Sequence, residues 1–305
     1  MRQLRYHRVD VFTDRPLGGN PLAVFPDGRG LDAGEMQLLA REMNLSETVF
    51  SLPSREPGAA RRLRIFTIDR ELPMAGHPVV GAAHVLASTG AIEVREGLNP
   101  AMLELGAATL PVEIHVRNGE VAAVFMTQKT PTIGRRFGEI DLVATALGLL
   151  PSQLDLGDLK PRVVDTGIPW FLIPLVDLKA LRALRVQPQV CAELASVVGT
   201  DLFYAFTQDT GDPSCAARAR HVWFGGTTPG EDPVTGSAIG CLASFLVSEG
   251  VILAAPEAEL SIEQGEEVGR RGKVTARVQA KGGSISRVQV GGSAVHVGDG
   301  EIRLP

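Results

Sequence analysis

The sequence predicts an α+β protein of two pseudo-symmetric halves, in each of which a mostly antiparallel sheet wraps around one central apolar helix. The first observation is a repeat, because residues 77–83 and 232–238 match at several positions when the chain is shifted by 155. The second is that each copy opens an apolar run ending in glycine, at 82–90 and 238–250. Such a run is typical of a helix that starts with proline, and a helix without a polar face must be enclosed.

The first half has strand character on both sides of one surface helix. Within residues 32–43, apolar side chains recur at i, i+3, i+4 and i+7, which is the spacing of an amphipathic helix. The central helix of this half is expected over residues 78–89, with Pro78 at its first position. Strands are expected at residues 4–13, 22–25, 48–52 and 63–67.

The second half repeats this pattern, and its central helix is expected to begin at Pro233. Residues 274–290, two strands about a glycine pair, resemble residues 112–126 of the first half. The segment from Val288 follows the last matched hairpin, and it is expected to return to the first sheet. The first half should therefore comprise residues 1–118 together with 288–305, and the second half residues 119–287.

The composition is that of a soluble globular protein, with 44% apolar and 21% charged residues among 305. A net charge of −5 argues against a nucleic-acid or anionic-membrane partner. No stretch is apolar for long enough to span a membrane, and the N-terminus lacks an apolar signal region. Three widely spaced cysteines without a CxxC pair fit reduced thiols, so a cytoplasmic location is expected.

The residues before the two prolines, His77 and Asp232, can both exchange a proton. Aspartate followed by proline is a preferred helix start, so Asp232 is explained equally well as a cap. Histidine is not a favoured cap, and proton exchange near neutral pH is the obvious reason for His77. By residue type alone, Glu47 is an ordinary surface glutamate before an apolar strand, although a carboxylate at the mouth of a partly dry cleft could act as a general base.

Two helix N-termini also form a natural anion site, so the expected ligand is a small carboxylic acid. Gly76 and Gly236 would let it approach the backbone, and Ser237 could donate a hydrogen bond or merely fill space. The sequence has no phosphate-binding P-loop, and its other histidines lack metal-ligand spacing, so no metal is expected. Asn20 and Ser46 are turn residues by default.

Four motifs, in order, cover nearly the whole chain and resemble the PhzF family of phenazine-biosynthesis isomerases. They lie at residues 9–25, 43–50, 71–78 and 231–237. The resemblance implies the diaminopimelate-epimerase fold and a cofactor-free isomerase acting on trans-2,3-dihydro-3-hydroxyanthranilate. It also implies a homodimer.

The same resemblance implies roles for single residues. Glu47 would shuttle a proton between ring carbons, and His77 and Asp232 would line the cleft between the halves and assist. The polar groups of the substrate would be held by Ser46, Gly76 and Ser237, with Asn20 and Gly236 completing the expected binding set. Diaminopimelate epimerase and proline racemase use a cysteine at the start of each central helix, so two-thiol racemisation is not expected here.

The leading hypothesis is thus an isomerase that moves a proton within a small cyclic amino or hydroxy acid, with Glu47 as the main acid/base. The alternative is a non-catalytic protein that binds small carboxylates on the same fold. Retention of Glu47, His77 and Asp232 argues against it, because binding alone does not need a base beside an acid. Hydrolysis lacks a recognisable nucleophile or metal site.

Overall fold

The structure is a computed structural model that describes residues 2–224 and 230–304. Its described part is α+β, which confirms the predicted class. Its helices are α1 (Ala33–Met43), α2 (His77–Ser88), α3 (Ile140–Leu147), α4 (Leu178–Ala183), α5 (Pro188–Val198) and α6 (Gly236–Ser248). Its strands are β1 (Arg2–Val11), β2 (Asn20–Phe25), β3 (Glu47–Leu52), β4 (Arg61–Phe66), β5 (Glu71–Leu72), β6 (Gly97–Glu104), β7 (Thr109–Arg117), β8 (Glu120–Gln128), β9 (Thr132–Ile133), β10 (Arg162–Asp165), β11 (Pro169–Pro174), β12 (Phe203–Thr207), β13 (Ala217–Trp223), β14 (Gly230–Asp232), β15 (Glu257–Gln264), β16 (Gly272–Lys281), β17 (Ser284–Gly292) and β18 (Ala294–Leu304).

The chain divides into two compact units, one of residues 1–127 with 291–305 and the other of residues 128–290. The first boundary differs from the expected position after residue 118. That position falls in the turn between β7 and β8, and these strands pair antiparallel from Val112↔Met126 to Arg117↔Glu120. Because the two strands form one hairpin, they stay in the same unit.

The first unit is built on β1, which pairs antiparallel with β18 from Arg2↔Leu304 to Val11↔Ala294. On its other edge β1 pairs antiparallel with β2, and β2 then pairs in parallel with β3. Strand β4 pairs antiparallel with β3. Helix α2 packs against β1, β2, β3, β4, β7 and β18, so the strands of this unit surround it.

Helix α2 is buried on nearly all sides, since every residue from His77 to Ala87 is buried. Its N-cap is Gly76, and His77 is its first helical residue. The expectation of His77 at the cap is therefore wrong by one position. No side chain caps this helix, and Pro78 in the first turn needs no hydrogen-bond partner for its nitrogen.

The second unit encloses α6, which packs against β10, β11 and β16. Strands β10 and β11 pair antiparallel, as do β15 and β16, whereas β11 pairs in parallel with β12. A second core lies beside this helix–sheet unit, where α3, α4 and α5 pack with β11 and β12 around Phe171, Leu194 and Phe203. Among the described residues, none of the helices has the length and apolarity to cross a membrane.

Helix α6 begins at Gly236, so the expectation that it starts at Pro233 is wrong. Asp232 is the last residue of β14, which pairs antiparallel with β13. The chain needs residues 233–235 to turn from this strand into the helix, and Thr235 is the N-cap. The repeated motif thus predicts a helix in both units but not the same start.

Substituting Gly81 by alanine tests how tightly α2 is enclosed. A Cβ at this position would lie 2.6 Å from Leu22 Cδ2 and 2.7 Å from Val11 Cγ2. Alanine favours a helix interior over glycine by about 1 kcal/mol, whereas overpacking costs about 1–3 kcal/mol. We expect Gly81→Ala to lower the free energy of unfolding by about 1 kcal/mol, measured by urea denaturation.

The matched control is Gly34→Ala in the exposed first turn of α1. There a Cβ would come no closer than 3.2 Å to a neighbouring atom, Asp32 Oδ1, so alanine should be neutral or stabilising. A Gly81→Ala protein as stable as Gly34→Ala would contradict the close packing of α2 against β1 and β2.

Candidate functional site

Three of the expected site residues come together in the first unit. Asn20 opens β2 and Glu47 opens β3, and the parallel register pairs Leu22 with Glu47. Both side chains therefore lie at the same end of the sheet. His77, the first residue of α2, lies against this end.

The three side chains form a chain of polar contacts. His77 Nε2 lies 3.3 Å from Glu47 Oε2, and Asn20 Nδ2 lies 3.2 Å from His77 Nδ1. With the amide in this orientation, Asn20 donates to Nδ1, so the imidazole proton is on Nε2. The 3.3 Å approach of Nε2 to Glu47 Oε2 is a close polar contact without hydrogen-bond geometry. Asn20 is fully buried and His77 is 5% exposed. The Glu47 side chain is 18% exposed and is the most accessible of the three.

The imidazole of His77 is neutral at neutral pH. Burial lowers its pKa to about 3, because the charged form would lose its hydration in this position. The neutral imidazole therefore places no charge beside the carboxylate of Glu47.

Ser46 and Gly76 flank this trio along the chain. Ser46 is exposed and immediately precedes β3, so its position does not hinder contact with a small molecule. Gly76 is buried, and its carbonyl accepts a hydrogen bond from Val79 N at 3.1 Å. Both are adjacent in sequence to a member of the trio, and their expected role in binding stays a prediction.

In the second unit, Asp232 is held at the end of β14 rather than at the cap of α6. Thr235 Oγ1 donates to Asp232 Oδ2 at 2.6 Å. Across the strand pair Asp232 lies opposite His221 of β13. Gly236 is the first residue of α6 and is buried, and Ser237 follows it half-buried.

Gln264 fixes the turn that carries Asp232. Its Nε2 donates to Asp232 O at 2.7 Å and to Thr235 Oγ1 at 3.0 Å. Its Oε1 accepts from Thr235 N at 3.0 Å and from Tyr204 OH at 2.8 Å. The amide therefore uses both donors and both acceptor positions, which leaves a single orientation for Gln264 and Thr235.

Two further interactions support the same strand pair. Arg220 Nε and Nη2 bind Glu231 Oε1 and Oε2 at 2.9 and 2.7 Å, a bidentate pair beside Asp232. His221 Nδ1 lies 3.0 Å from Phe203 O and donates to it, and burial lowers the pKa of this histidine. Burial and the nearby Asp232 raise the pKa of Tyr204, so its hydroxyl stays protonated as the donor to Gln264.

Sequence reasoning missed Tyr204, Arg220, Thr235 and Gln264. Tyr204, Arg220 and Gln264 fall in none of the four motifs, and the parallel pairing of β13 with β15 brings Gln264 to Asp232. The single available signal was Thr235, three residues after Asp232 and able to hydrogen-bond to it.

The burial of His77 predicts an acid-dependent loss of stability. The unfolded chain takes up a proton on this histidine below pH 6.5, whereas the folded protein does so only near pH 3. The free energy of unfolding therefore decreases as the pH is lowered through that window. This histidine alone accounts for a loss of roughly 2 kcal/mol between pH 6.5 and 5. We expect the His77→Gln variant to lose that much less stability than wild type between pH 7.5 and 5 in urea denaturation.

His84, whose pKa burial lowers to about 4, is present in both proteins and cancels from the comparison. Parallel profiles for wild type and His77→Gln would show that His77 titrates normally and is not held neutral by burial.

Comparison with known proteins supports these assignments of fold and family. The sequence model of the family described as "Phenazine biosynthesis-like protein" matches residues 9–300. The trans-2,3-dihydro-3-hydroxyanthranilate isomerase of Pseudomonas chlororaphis is 35% identical over 306 residues, which cover 98% of this chain and 99% of that protein.

Solved structures agree with this result. A phenazine biosynthesis protein of the PhzF family from Bacillus anthracis superposes with a TM-score of 0.87 at 27% identity and full coverage of both chains. A hydroxyproline epimerase from Agrobacterium vitis has a TM-score of 0.67 at 13% identity, covering 99% of this chain and 92% of that one. This second likeness shows the fold alone, and it confirms the epimerase-like fold expected from the sequence. The chain belongs to the PhzF family and is an isomerase.

Proposed function

We propose that this isomerase moves a proton between ring carbons of a small cyclic amino or hydroxy carboxylic acid, with Glu47 as the acid/base. The observation that carries the proposal is the Glu47–His77 contact of 3.3 Å. In it a carboxylate that solvent can reach lies beside an imidazole that burial keeps neutral. A base in such a position contributes about 10²- to 10⁴-fold to a rate.

The proposed reaction needs one group that first accepts and then returns a proton. Glu47 takes the proton from one ring carbon as the C–H bond breaks, and the electron pair delocalises into the neighbouring unsaturation. The carboxyl proton of Glu47 exchanges with solvent, which reaches this side chain, and Glu47 then protonates a second ring carbon. Atoms and electrons balance, so neither a cofactor nor a co-reactant is consumed.

His77 and Asn20 are proposed to position the carboxylate. The neutral ring of His77 lies against one oxygen of Glu47, and the contact of Asn20 with Nδ1 fixes its tautomer. Because the Asn20 side chain is fully buried, its contribution is through His77. Its expected contact with substrate stays a prediction.

Asp232 is proposed as a second proton-exchanging group that assists Glu47. Two observations support this role. Thr235 donates a hydrogen bond to the Asp232 carboxylate, and the Gln264 amide, with all its hydrogen bonds made, holds the turn. A residue that only caps a helix would not need these hydrogen bonds. Ser46, Gly76, Gly236 and Ser237 are proposed to hold the polar groups of the substrate.

The substrate proposed is trans-2,3-dihydro-3-hydroxyanthranilate or a close analogue. The support is the relative from Pseudomonas chlororaphis, which is named for that reaction.

Family resemblance also supports a homodimer, which a light-scattering mass would test. The three cysteines are buried and free, which supports the proposed cytoplasmic location.

Glu47→Gln is the first test of the proposed chemistry. In D2O with trans-2,3-dihydro-3-hydroxyanthranilate, wild type should give a deuterated, isomerised product, followed by mass spectrometry. Removing the base should lower kcat by about 10²- to 10⁴-fold. The amide keeps the shape of the carboxylate, so the thermal stability should change little.

The matched control is Glu93→Gln, which removes an exposed carboxylate from the same unit. It should keep wild-type turnover. Normal turnover in Glu47→Gln would overturn its assignment as the base. Binding of small carboxylic acids by wild type without label or product would instead favour a non-catalytic role.

Thr235→Val tests whether the orientation of Asp232 matters. The change removes the hydroxyl that donates to Asp232 Oδ2, and a hydrogen bond to a charged group is worth about 1.5–3 kcal/mol. We expect kcat to fall about ten- to hundred-fold with a smaller change in KM, while Thr235→Ser keeps most of the rate. Equal rates in the valine and serine variants would contradict a role for this hydrogen bond.

A further inference from the structure

A cluster of histidine and aspartate side chains lies outside the residues proposed for proton transfer. His7 of β1 places Nδ1 2.5 Å from Asp299 Oδ1 of β18. His296 places Nε2 2.9 Å from the same oxygen. One donor atom from each of the three residues lies within 4.8 Å of the other two.

A β-bulge brings these three residues to one face of the sheet. His296 and Asp299 are three apart, and in a regular strand they would point to opposite faces. The register pairs His7 with Asp299 and Val9 with His296, with a shift between Arg8 and Val9. Residue 297 is thus the extra residue, and it restores His296 to the face of His7 and Asp299.

A third histidine adjoins the cluster from α2, which packs against β1 and β18. His84 is 9% exposed, and its Nδ1 is buried without a hydrogen-bond partner among the described residues. Repulsion from His296 contributes to lowering its pKa, so the two imidazoles are close enough to interact. The cluster therefore contains an imidazole nitrogen whose hydrogen-bonding capacity the protein itself does not use.

The neighbouring charges leave one carboxylate oxygen directed at the histidines. Arg5 Nη2 lies 3.7 Å from Asp299 Oδ2, the oxygen that points away from them. Two imidazole nitrogens thus share a single carboxylate oxygen, an arrangement in which a cation can replace the shared protons.

We propose that His7, His296 and Asp299 form a binding site for a divalent transition metal of the zinc class. Two nitrogens and one carboxylate oxygen suit Zn²⁺, Co²⁺ or Ni²⁺ rather than Mg²⁺ or Ca²⁺, which prefer oxygen ligands. Three protein ligands leave a further position for water. Ligand bonds of about 2.0–2.2 Å require the donors to separate by roughly half to one ångström, which the exposed His296 and Asp299 side chains can accommodate.

The metal would join the first and last strands of the chain. Because β1 supplies one ligand and β18 two, binding is possible only when these strands are paired. A ligand that binds only the folded protein raises its stability. The expected effect is therefore a rise in the unfolding temperature, separate from any effect on isomerisation.

The test uses metal-free, tag-free full-length protein titrated with Co²⁺, because its visible absorption reports nitrogen and oxygen ligation directly. Wild type should bind one Co²⁺ per chain, and Zn²⁺ should displace it and raise the unfolding temperature. His296→Gln and Asp299→Asn should each weaken binding at least about ten-fold, and both residues are exposed, so the variants should fold. His115→Gln removes another histidine of the same unit and should bind as wild type does.

Stoichiometric binding that depends on His296 and Asp299 but not on His115 supports the site. The absence of a Co²⁺ spectrum would overturn it, as would equal binding by wild type and His296→Gln. Binding lost equally in His115→Gln would also overturn it, because that result would indicate unspecific association with surface histidines.

Discussion

Residues 77–87 of α2 are all buried, and the same holds for most of α6. A helix with no polar face can be buried on every side only if strands surround it, so each unit must bring its strands around one helix. Gly81 shows how close this enclosure is, because its missing side chain leaves room for Leu22 and Val11. The enclosure also fixes the start of α2, and with it the position of His77 against Glu47.

The buried polar groups of the two units carry little net charge. His77 is neutral by burial, and the Gln264 amide uses its whole hydrogen-bonding capacity on Asp232, Thr235 and Tyr204. The positive charge of Arg220 is balanced by Glu231, with which it forms a bidentate ion pair. The satisfied Gln264 network holds its members in one arrangement. In the first unit, the Glu47 carboxylate that solvent can reach has a neutral imidazole beside it.

Sequence periodicity predicted the two enclosed helices, the surface helix α1 and the early strands to within a few residues, because each pattern is local. The predicted start of α6 was wrong. The turn after Asp232 is set by the pairing of Asp232 with His221 and by the hydrogen bonds of Gln264, and both residues lie outside the motif. Glu47 and His77 were selected from motifs, but their 3.3 Å contact depends on the packing of α2 against β3. The histidine cluster was missed because a bulge, which the sequence does not mark, sets which residues share a face.

The pairing of β1 with β18 also has a consequence for biosynthesis. All of residues 128–290 are translated between the two parts of the first unit. At ribosomal rates that interval is about 8 to 33 s, and for its duration one edge of β1 has no partner strand. Unpaired edges invite association with other chains, and charged side chains along an edge oppose it. Arg2, Arg5 and Arg8 are exposed along β1, so the nascent chain carries its own protection until the last strand leaves the ribosome.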